Sequence, residues 1–208
     1  MPARGRLLAL EGIDGSGKST QAAAVAGALG AQLTHEPGAT ELGALLRQVL
    51  LTPDAPPIGL RAEALLMAAD RAEHVDRVVR PALEAGTWVV SDRFSGSTLA
   101  YQGYGRGLGV PELATLVEWA TAGLSADLSI LVDVPVDLAR RRIAQSATDR
   151  LEGLGPEFAG RVRDGYLTLA GADPDHWVIV EGAMDPAALT THILTVVHER
   201  LGAPPDRA

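Results

Sequence analysis

The stretch LLALEGIDGSGKSTQ, Leu7–Gln21, decides the fold. Its mostly apolar first residues predict a buried strand, and the alanine-rich run after Lys18 predicts a helix that ends at Gly30. The octapeptide GIDGSGKS at 12–19 fits the phosphate-binding pattern G-x-x-x-x-G-K-[ST]. A glycine-rich turn without a ligand is the alternative interpretation. The position of the turn, after a buried strand and at the start of a helix, favours phosphate binding.

Residues Gly12–Thr20, here called the phosphate loop, have the chemistry to hold a nucleoside triphosphate. Glycine permits backbone angles that turn several N–H groups towards an anion, and the following helix presents its positive end at the same place. Lys18 adds a full charge beside the terminal phosphates, and the hydroxyl of Ser19 suits a magnesium ion. We therefore expect nucleotide contacts from Gly12, Ile13, Asp14, Gly15, Ser16, Gly17, Lys18, Ser19 and Thr20.

Strands and helices alternate along the rest of the chain. Apolar runs such as ADLSILVDV at 126–134 predict strands, while ELGALLRQVLL at 41–51 and the long segment 60–86 have helical spacing. Strands that are nearly continuous apolar runs are typical of a parallel sheet covered by helices on both faces. No linker-like change of composition divides the chain, so we expect a single α/β domain over residues 1–208.

The composition is that of a soluble globular protein, with 47% apolar and 21% charged residues among 208. A net charge of −8 argues against a general nucleic-acid or membrane-surface binder, because such proteins need a basic face. The absence of cysteine excludes disulfides and zinc–thiolate sites. The N-terminal apolar stretch is too short for the core of a signal peptide, and no stretch approaches about 18 apolar residues. We therefore expect a cytoplasmic protein.

Asp92 and Arg93, in the segment SDRF, follow a predicted strand. They are therefore expected at the carboxyl edge of the sheet, where ligands of such folds bind. A carboxylate there can position a magnesium ion or its waters, and an arginine can bind an acceptor phosphate. For this segment taken alone, an ion pair at the end of a strand is the alternative.

Five segments, in order and at compatible spacing, resemble thymidylate kinases of the bacterial type, in which the lid supplies an arginine. The segments are EGIDGSGKSTQ, HEPGAT, LLMAADRAEHV, SDRF…STLAYQG and TDRLE. The resemblance implies a P-loop NTPase fold of the nucleoside monophosphate kinase type, with a five-stranded parallel sheet, and usually a homodimer. It also implies that ATP, with Mg²⁺, donates its γ-phosphoryl group to dTMP, which yields dTDP and ADP in dTTP biosynthesis.

The same resemblance implies a set of acceptor-binding residues. Arg93 matches the arginine that binds the acceptor phosphate, Arg71 the arginine directed at the thymine carbonyl, and Asp14 a carboxylate that contacts the 3′ hydroxyl. The ring of Tyr101 would exclude ribose by filling the space that a 2′ hydroxyl needs. The full set is Asp14, Glu36, Arg47, Met67, Arg71, Arg93, Ser97, Thr98, Tyr101 and Gln102.

Several of these residues have a plain structural alternative. An arginine beside an aspartate in mid-helix, as Arg71 is, is more often a surface charge, and the Ser- and Gly-rich segment that holds Ser97, Thr98, Tyr101 and Gln102 is compatible with a turn after a strand. Asp14 is also a turn former before glycine, and Arg47 is equally compatible with the surface of its helix. Met67 departs from many relatives, which have a phenylalanine that stacks on thymine, and a core methionine is the ordinary interpretation. A flexible, polarisable thioether can nevertheless cover a flat base.

A short lid is expected at about residues 142–156. The phosphate loop has no arginine, so Arg150 in the lid segment is the hypothetical arginine finger, and Arg142 is expected on the nucleotide donor. A basic helix balanced by nearby acids is the alternative, and which arginine reaches the phosphates stays open. The expected catalytic residues are Lys18, Asp92, Arg93 and Arg150, with Ser19 and Asp92 at the metal.

Two other functions remain open from the sequence. One is a related kinase with a broader acceptor range that includes dUMP or a deoxynucleoside, since methionine at position 67 holds the base less tightly. The other is a nucleotide-dependent switch without phosphoryl transfer. A switch has no need of the acceptor set around Arg93, Tyr101 and Gln102, which makes it the weaker alternative.

Overall fold

The computed structural model describes residues 4–53, 55–144 and 150–204. Within these ranges a single parallel sheet runs through the molecule in the spatial order β2-β3-β1-β4-β5. This arrangement confirms the predicted five-stranded parallel α/β fold. The strands are β1 Leu7–Glu11, β2 Gln32–His35, β3 Val89–Asp92, β4 Leu128–Asp133 and β5 Trp177–Glu181.

Helices connect and cover these strands. Two segments, Val75–Val79 and Leu99–Gly105, are π-helical and continue preceding α-helices, and Glu152–Leu154 forms a 3₁₀ turn. The α-helices of the described ranges are α1 Lys18–Leu29, α2 Glu41–Leu51, α3 Leu60–His74, α4 Arg80–Glu84, α5 Ser95–Thr98, α6 Val110–Ala120, α7 Val136–Ile143, α8 Pro156–Ala172 and α9 Pro186–Leu201.

The core lies on both faces of the sheet, as β1 illustrates. Leu8 and Leu10 pack on one face in a cluster that includes residues of α1 and α9. Leu7 and Ala9 point to the opposite face, in a cluster that includes residues of the helical segment 75–83. All four side chains are buried, because successive residues of a strand face opposite sides. A fully apolar run is therefore the expected sequence of this strand.

Helical structure at 95–105 was not among the predicted elements. The segment is rich in serine and glycine, which are weak helix formers, so a turn was the alternative interpretation. Close packing overrides this propensity. A Cβ on Gly105 would lie 2.7 Å from the ring of Phe158 in α8, so only glycine lets the two helices approach this closely.

The segment between α7 and α8 corresponds to the expected lid. Of the predicted span 142–156, residues 145–149 lie outside the described residues. The adjoining Arg150 and Leu151 are described, and the backbone N–H of Arg150 donates to the carbonyl of Leu51 at the end of α2 over 3.1 Å. In the described parts of the chain, no helix combines the length and apolar content that crossing a bilayer requires.

Candidate functional site

The phosphate loop joins the buried end of β1 to α1, as predicted. Gly15 and Gly17 have positive φ angles of 79° and 94°, which side-chain-bearing residues rarely adopt. A Cβ on Gly15 would also overlap the carbonyl oxygen of Ala139 in α7. The hydroxyl of Ser16 is buried and has no hydrogen-bond partner among the described residues, so it remains available to a ligand.

Lys18 is buried at the base of this loop, where its ammonium group lies 3.4 Å from Oδ1 of Asp14 and 3.5 Å from the carbonyl oxygen of Ile13. Burial lowers the pKa of Lys18, and the nearby charge of Arg93 acts in the same direction, whereas Asp14 opposes both. The contact with Asp14 is long for a hydrogen bond, so the ammonium group of Lys18 can still donate to an anion bound at the loop.

Arg93, Asp14 and Tyr101 form one hydrogen-bonded cluster at the edge of the phosphate loop. Nη2 of Arg93 forms an ion pair with Asp14 and donates to the Tyr101 hydroxyl over 3.1 Å. That hydroxyl donates to Oδ2 of Asp14 over 2.6 Å. Burial alone would raise the pKa of Asp14, but the charges of Arg93 and Lys18 hold it well below its usual range. Asp14 is therefore an anionic acceptor at neutral pH.

The backbone of Arg93 is unusual, with a φ of 74° in a residue other than glycine. Such a conformation costs about 1 kcal/mol or more and persists only where surrounding contacts impose it. Its N–H donates to the carbonyl of Leu10 over 2.9 Å, which continues the pairing of β1 with β3. Nη1 is held by the carbonyl of Gly12 and the hydroxyl of Ser97, both at 3.1 Å. These bonds aim the guanidinium at the phosphate loop.

Behind Arg93 lies a buried carboxylate that was not among the predicted site residues. Glu11 has no exposed surface and accepts hydrogen bonds from the Ser97 hydroxyl at 2.6 Å and the Tyr166 hydroxyl at 3.0 Å. Burial raises the pKa of Glu11. An acid at the end of an apolar strand was the one signal available in the sequence. Nothing in the sequence of α8 pointed to Tyr166.

Arg71, predicted to face the base, lies among acceptors on three elements. Nε donates to Glu36 over 2.8 Å, Nη1 to the Thr98 hydroxyl over 2.7 Å, and Nη2 to the carbonyl of Phe94 over 2.9 Å. Glu36 also binds His74 at 2.8 Å. Burial opposes ionisation of Glu36, but Arg71 and His74 lower its pKa below the usual value.

Arg47 and Asp70 hold the loop that follows β2. Nη1 of Arg47 donates to the carbonyl of Pro37 over 2.8 Å, and Oδ1 of Asp70 accepts the N–H of Gly38 at 2.9 Å. Burial, together with the charge of Glu36, raises the pKa of Asp70 to about 6.

A small cleft, with a volume of about 80 Å³, opens between these clusters. The structure brings the complete predicted acceptor set to its wall, together with four residues that were not predicted. The predicted residues are Asp14, Glu36, Arg47, Met67, Arg71, Arg93, Ser97, Thr98, Tyr101 and Gln102, and the others are Pro37, Leu51, Asp70 and Leu151.

Glu63, on α3, was also missed by the sequence analysis. It has no exposed surface, and Nε2 of Gln102 donates to its Oε1 over 3.0 Å. Arg106 binds both carboxylate oxygens, at 3.1 and 2.7 Å, and Nη2 of Arg150 donates to Oε2 over 3.1 Å. Arg150 thus points at an acid beside the acceptor pocket, and its Nε is buried without a partner among the described residues.

Arg142, on α7, contacts the phosphate loop. Nη1 donates to the carbonyls of Gly15 and Ser16, at 3.3 and 3.1 Å, and Nη2 to the carbonyl of Gly182 at 3.2 Å. The arginine therefore bridges the phosphate loop and the turn after β5.

Asp92 ends β3 next to the phosphate loop, and its charge acts on Lys18. Its Oδ1 is buried without a hydrogen-bond partner among the described residues. Ser19 is exposed at the start of α1. The described part of the chain holds no group of three or more acidic or histidine side chains able to bind a metal by themselves.

Comparison with known proteins gives a consistent result. A protein-family model described as thymidylate kinase matches residues 10–193. The thymidylate kinase of Synechococcus sp. (strain CC9311) is 48% identical over 188 residues, which cover 85% of this chain and 87% of that protein. The thymidylate kinase of Cupriavidus necator is 42% identical over 202 residues, which cover 93% and 98% of the two chains.

Proposed function

The chain belongs to the thymidylate kinase family, and we propose that it transfers the γ-phosphoryl group of ATP to dTMP, yielding dTDP and ADP. The product is the precursor of dTTP. The observation that carries the proposal is the gathering of ten predicted acceptor residues around one cleft that shares Asp14 with the phosphate loop. A donor site and an acceptor site that share a residue are placed to bring two phosphate groups together.

In this reaction the protein must hold two anionic nucleotides in line and offset the charge that spreads over the transferred group. Lys18 and the N–H groups of the phosphate loop would do so for ATP. Arg93 would bind the phosphate of dTMP, because its guanidinium is anchored at the border of the two sites. Fixed donors of this kind stabilise charge without having to reorganise during the reaction.

Residues on the acceptor side would select and orient dTMP. Asp14, held ionised by Arg93 and Lys18, can accept a hydrogen bond from the sugar hydroxyl. Arg71 and Met67 line the cleft and would face the base, and the centre of the Tyr101 ring lies 4.8 Å from the Arg93 guanidinium. The family resemblance would place this ring beside the 2′ carbon of the sugar, where it would limit the space for a 2′ hydroxyl.

A magnesium ion fits the residues of the donor site. The unpartnered Oδ1 of Asp92 and the hydroxyl of Ser19 would hold it or its waters, with the remaining ligands supplied by phosphates. When bound, such an ion neutralises the phosphate oxygens of ATP. Magnesium usually takes only one or two protein ligands at nucleotide sites, which agrees with the sparse acidic groups here.

Two arginines complete the donor side of the proposal. Arg142, between the phosphate loop and the turn at Gly182, would contact the ATP nucleoside. Arg150 would act from the lid, after exchanging its contact with Glu63 for a phosphate. The lid and the rest of the chain are proposed to form one domain.

We also propose a cytoplasmic homodimer. Leu42, Leu45 and Val49 repeat at helical spacing on α2 and are 45%, 61% and 47% exposed. Leu65 on the adjoining α3 is 58% exposed. A second copy packed on this face would remove these side chains from water.

The direct test is ADP release, measured in a coupled assay with ATP, Mg²⁺ and one acceptor at a time. We expect the fastest ADP release with dTMP, and slower release with the comparison acceptors dUMP, dCMP and thymidine. Release that is independent of dTMP, or nucleotide binding without any release, would contradict the kinase proposal. Faster turnover of thymidine than of dTMP would point to the nucleoside as the acceptor.

A further inference from the structure

We propose that Glu63 determines base specificity, because it fixes which end of the Gln102 side-chain amide faces the acceptor cleft. The inference rests on the proposed function, since it concerns the base of the acceptor nucleotide. Glu63 does not line the cleft itself, so it acts through Gln102 as a positioning residue.

The orientation of the amide follows from the chemistry of its partner. A carboxylate that faces two guanidinium groups offers only lone pairs, so it can bind only the NH₂ end of an amide. Gln102 therefore donates Nε2 to Glu63, over 3.0 Å. Its oxygen, Oε1, lies at the other end of the amide and accepts no hydrogen bond from any described residue. Gln102 is nearly fully buried, yet it lines the cleft.

Glu63 is itself held in place. Arg106 grips both carboxylate oxygens in the planar, two-point geometry that arginine favours, and its guanidinium also lies 5.5 Å from the centre of the Phe158 ring. Arg150 adds a third cationic contact from the lid segment. With its carboxylate fixed on two sides, Glu63 cannot follow a rotation of the Gln102 amide.

This geometry selects among pyrimidine bases. Thymine and uracil carry an N–H at N3, whereas cytosine carries a bare nitrogen there. An amide oxygen facing the cleft can accept the N–H, but it would face the cytosine nitrogen lone pair to lone pair. A buried polar group left unpaired in this way discriminates strongly against the wrong ligand. A reversed amide would favour cytosine.

The test compares dTMP with dCMP in the wild-type protein, in Glu63→Gln and in the control variant Glu73→Gln. A glutamine at position 63 can present either end of its amide, so Gln102 can then rotate. We expect the dTMP-to-dCMP ratio of kcat/KM, and of affinity by calorimetry, to fall about tenfold or more in Glu63→Gln. Glu73→Gln removes the same charge from the same helix, at a position that pairs with Arg77 and does not line the cleft, so its ratio should stay within about twofold of wild type.

Glu63→Asp provides a second variant in case Glu63→Gln does not fold, as judged by thermal unfolding. It retains the charge but withdraws the carboxylate from Gln102 by one methylene, so the ratio should again fall. An unchanged ratio in either folded variant would overturn the inference, as would an equal fall in Glu73→Gln. Wild-type protein that binds dTMP without phosphorylating it would contradict the proposed function alone, because the calorimetric ratio would still decide the role of Glu63.

Discussion

The hydroxyl of Tyr101 donates a 2.6 Å hydrogen bond to Oδ2 of Asp14, although 87 residues separate the two in the chain. Asp14 belongs to the phosphate loop, and Tyr101 lies in the π-helical segment at the acceptor cleft. Arg93 contacts both residues. The proposed donor and acceptor sites therefore share a hydrogen-bonded boundary, and a change at one of its members should affect both.

Tyr101→Phe tests this boundary by removing the hydroxyl and keeping the ring. We expect the free energy of unfolding to fall by about 1 kcal/mol and kcat/KM for dTMP to fall about tenfold. Exclusion of the corresponding ribonucleotide should persist, because the ring remains. Tyr104→Phe is the matched control, since no described residue bonds to its hydroxyl. If the two variants have the same kcat/KM for dTMP, the hydrogen bond from Tyr101 to Asp14 does not couple the two sites.

Gly15→Ala tests the tight fit of the phosphate loop. The new Cβ meets the carbonyl of Ala139, and φ is positive, so the loop must shift. We expect ATP affinity, measured by calorimetry, to fall at least about tenfold. Gly27→Ala is the control, since Gly27 lies on an exposed face of α1 with nothing within 4 Å of the new Cβ. That variant should gain up to about 1 kcal/mol of stability and keep its ATP affinity.

Asp70 predicts a dependence of stability on pH. Its pKa of about 6 in the folded protein, raised mainly by burial, exceeds the unfolded value of 3.8, so the native state binds this proton more tightly. The contribution of Asp70 to stability is therefore fully present below about pH 4 and is lost as pH rises through about 6. Asp70→Asn keeps an oxygen for the Gly38 N–H and cannot ionise. It should be more stable than wild type at pH 7, by up to about 2 kcal/mol, and no more stable at pH 4.

The measurement is urea unfolding of wild type and Asp70→Asn at pH 4 and at pH 7. Asp76→Asn, at an exposed position, controls for the loss of one negative charge. If Asp70→Asn differs from wild type by the same free energy of unfolding at pH 4 and at pH 7, ionisation of Asp70 is not the cause of the difference.

Arg150→Ala tests the lid arginine. If Arg150 stabilises the transferred phosphoryl group, kcat should fall by about a thousandfold while the KM for ATP changes little. Arg141→Ala, at an exposed position of α7, removes the same charge from the neighbouring helix and should retain activity. If Arg150→Ala retains its turnover, Arg150 has no role in phosphoryl transfer, and its contact with Glu63 is structural.

Leu45→Asp tests the proposed dimer. A carboxylate on the exposed face of α2 would be costly to bury against a second copy, so the variant should elute as a monomer in size-exclusion chromatography with light scattering. Glu41→Ala, on the same helix, is expected to stay dimeric. A wild-type protein that is monomeric at high micromolar concentration would refute the homodimer.

The strands and the phosphate loop have local signatures in the sequence, whereas ten of the residues that line the cleft were expected from the family resemblance. β1 is a continuous apolar run, and Gly15 and Gly17 stand where the backbone needs positive φ. The helix at 95–105 escaped prediction because its stability comes from contact with α8, which propensity does not report. The same applies to Tyr166, whose hydroxyl meets Glu11 across 155 positions of the chain.

The buried acids were missed for a different reason. Glu63 stands between two alanines on its helix, where nothing in the local sequence marks it, and its partners Gln102, Arg106 and Arg150 come from distant segments. A lone glutamate on a helix is usually solvated. Only the tertiary arrangement reveals that this one has no exposed surface.

The backbone bond from the Arg93 amide to the Leu10 carbonyl has a consequence for how this enzyme family can change. Adjacent parallel strands lie about 4.8 Å apart, and this spacing is set by main-chain pairing that no side-chain substitution alters. β1 leads into the phosphate loop and β3 into Arg93, so under the proposed function the sheet would set the gap between the two reacting phosphates. Lids and base contacts could then diverge while the distance over which the phosphoryl group travels stays constant.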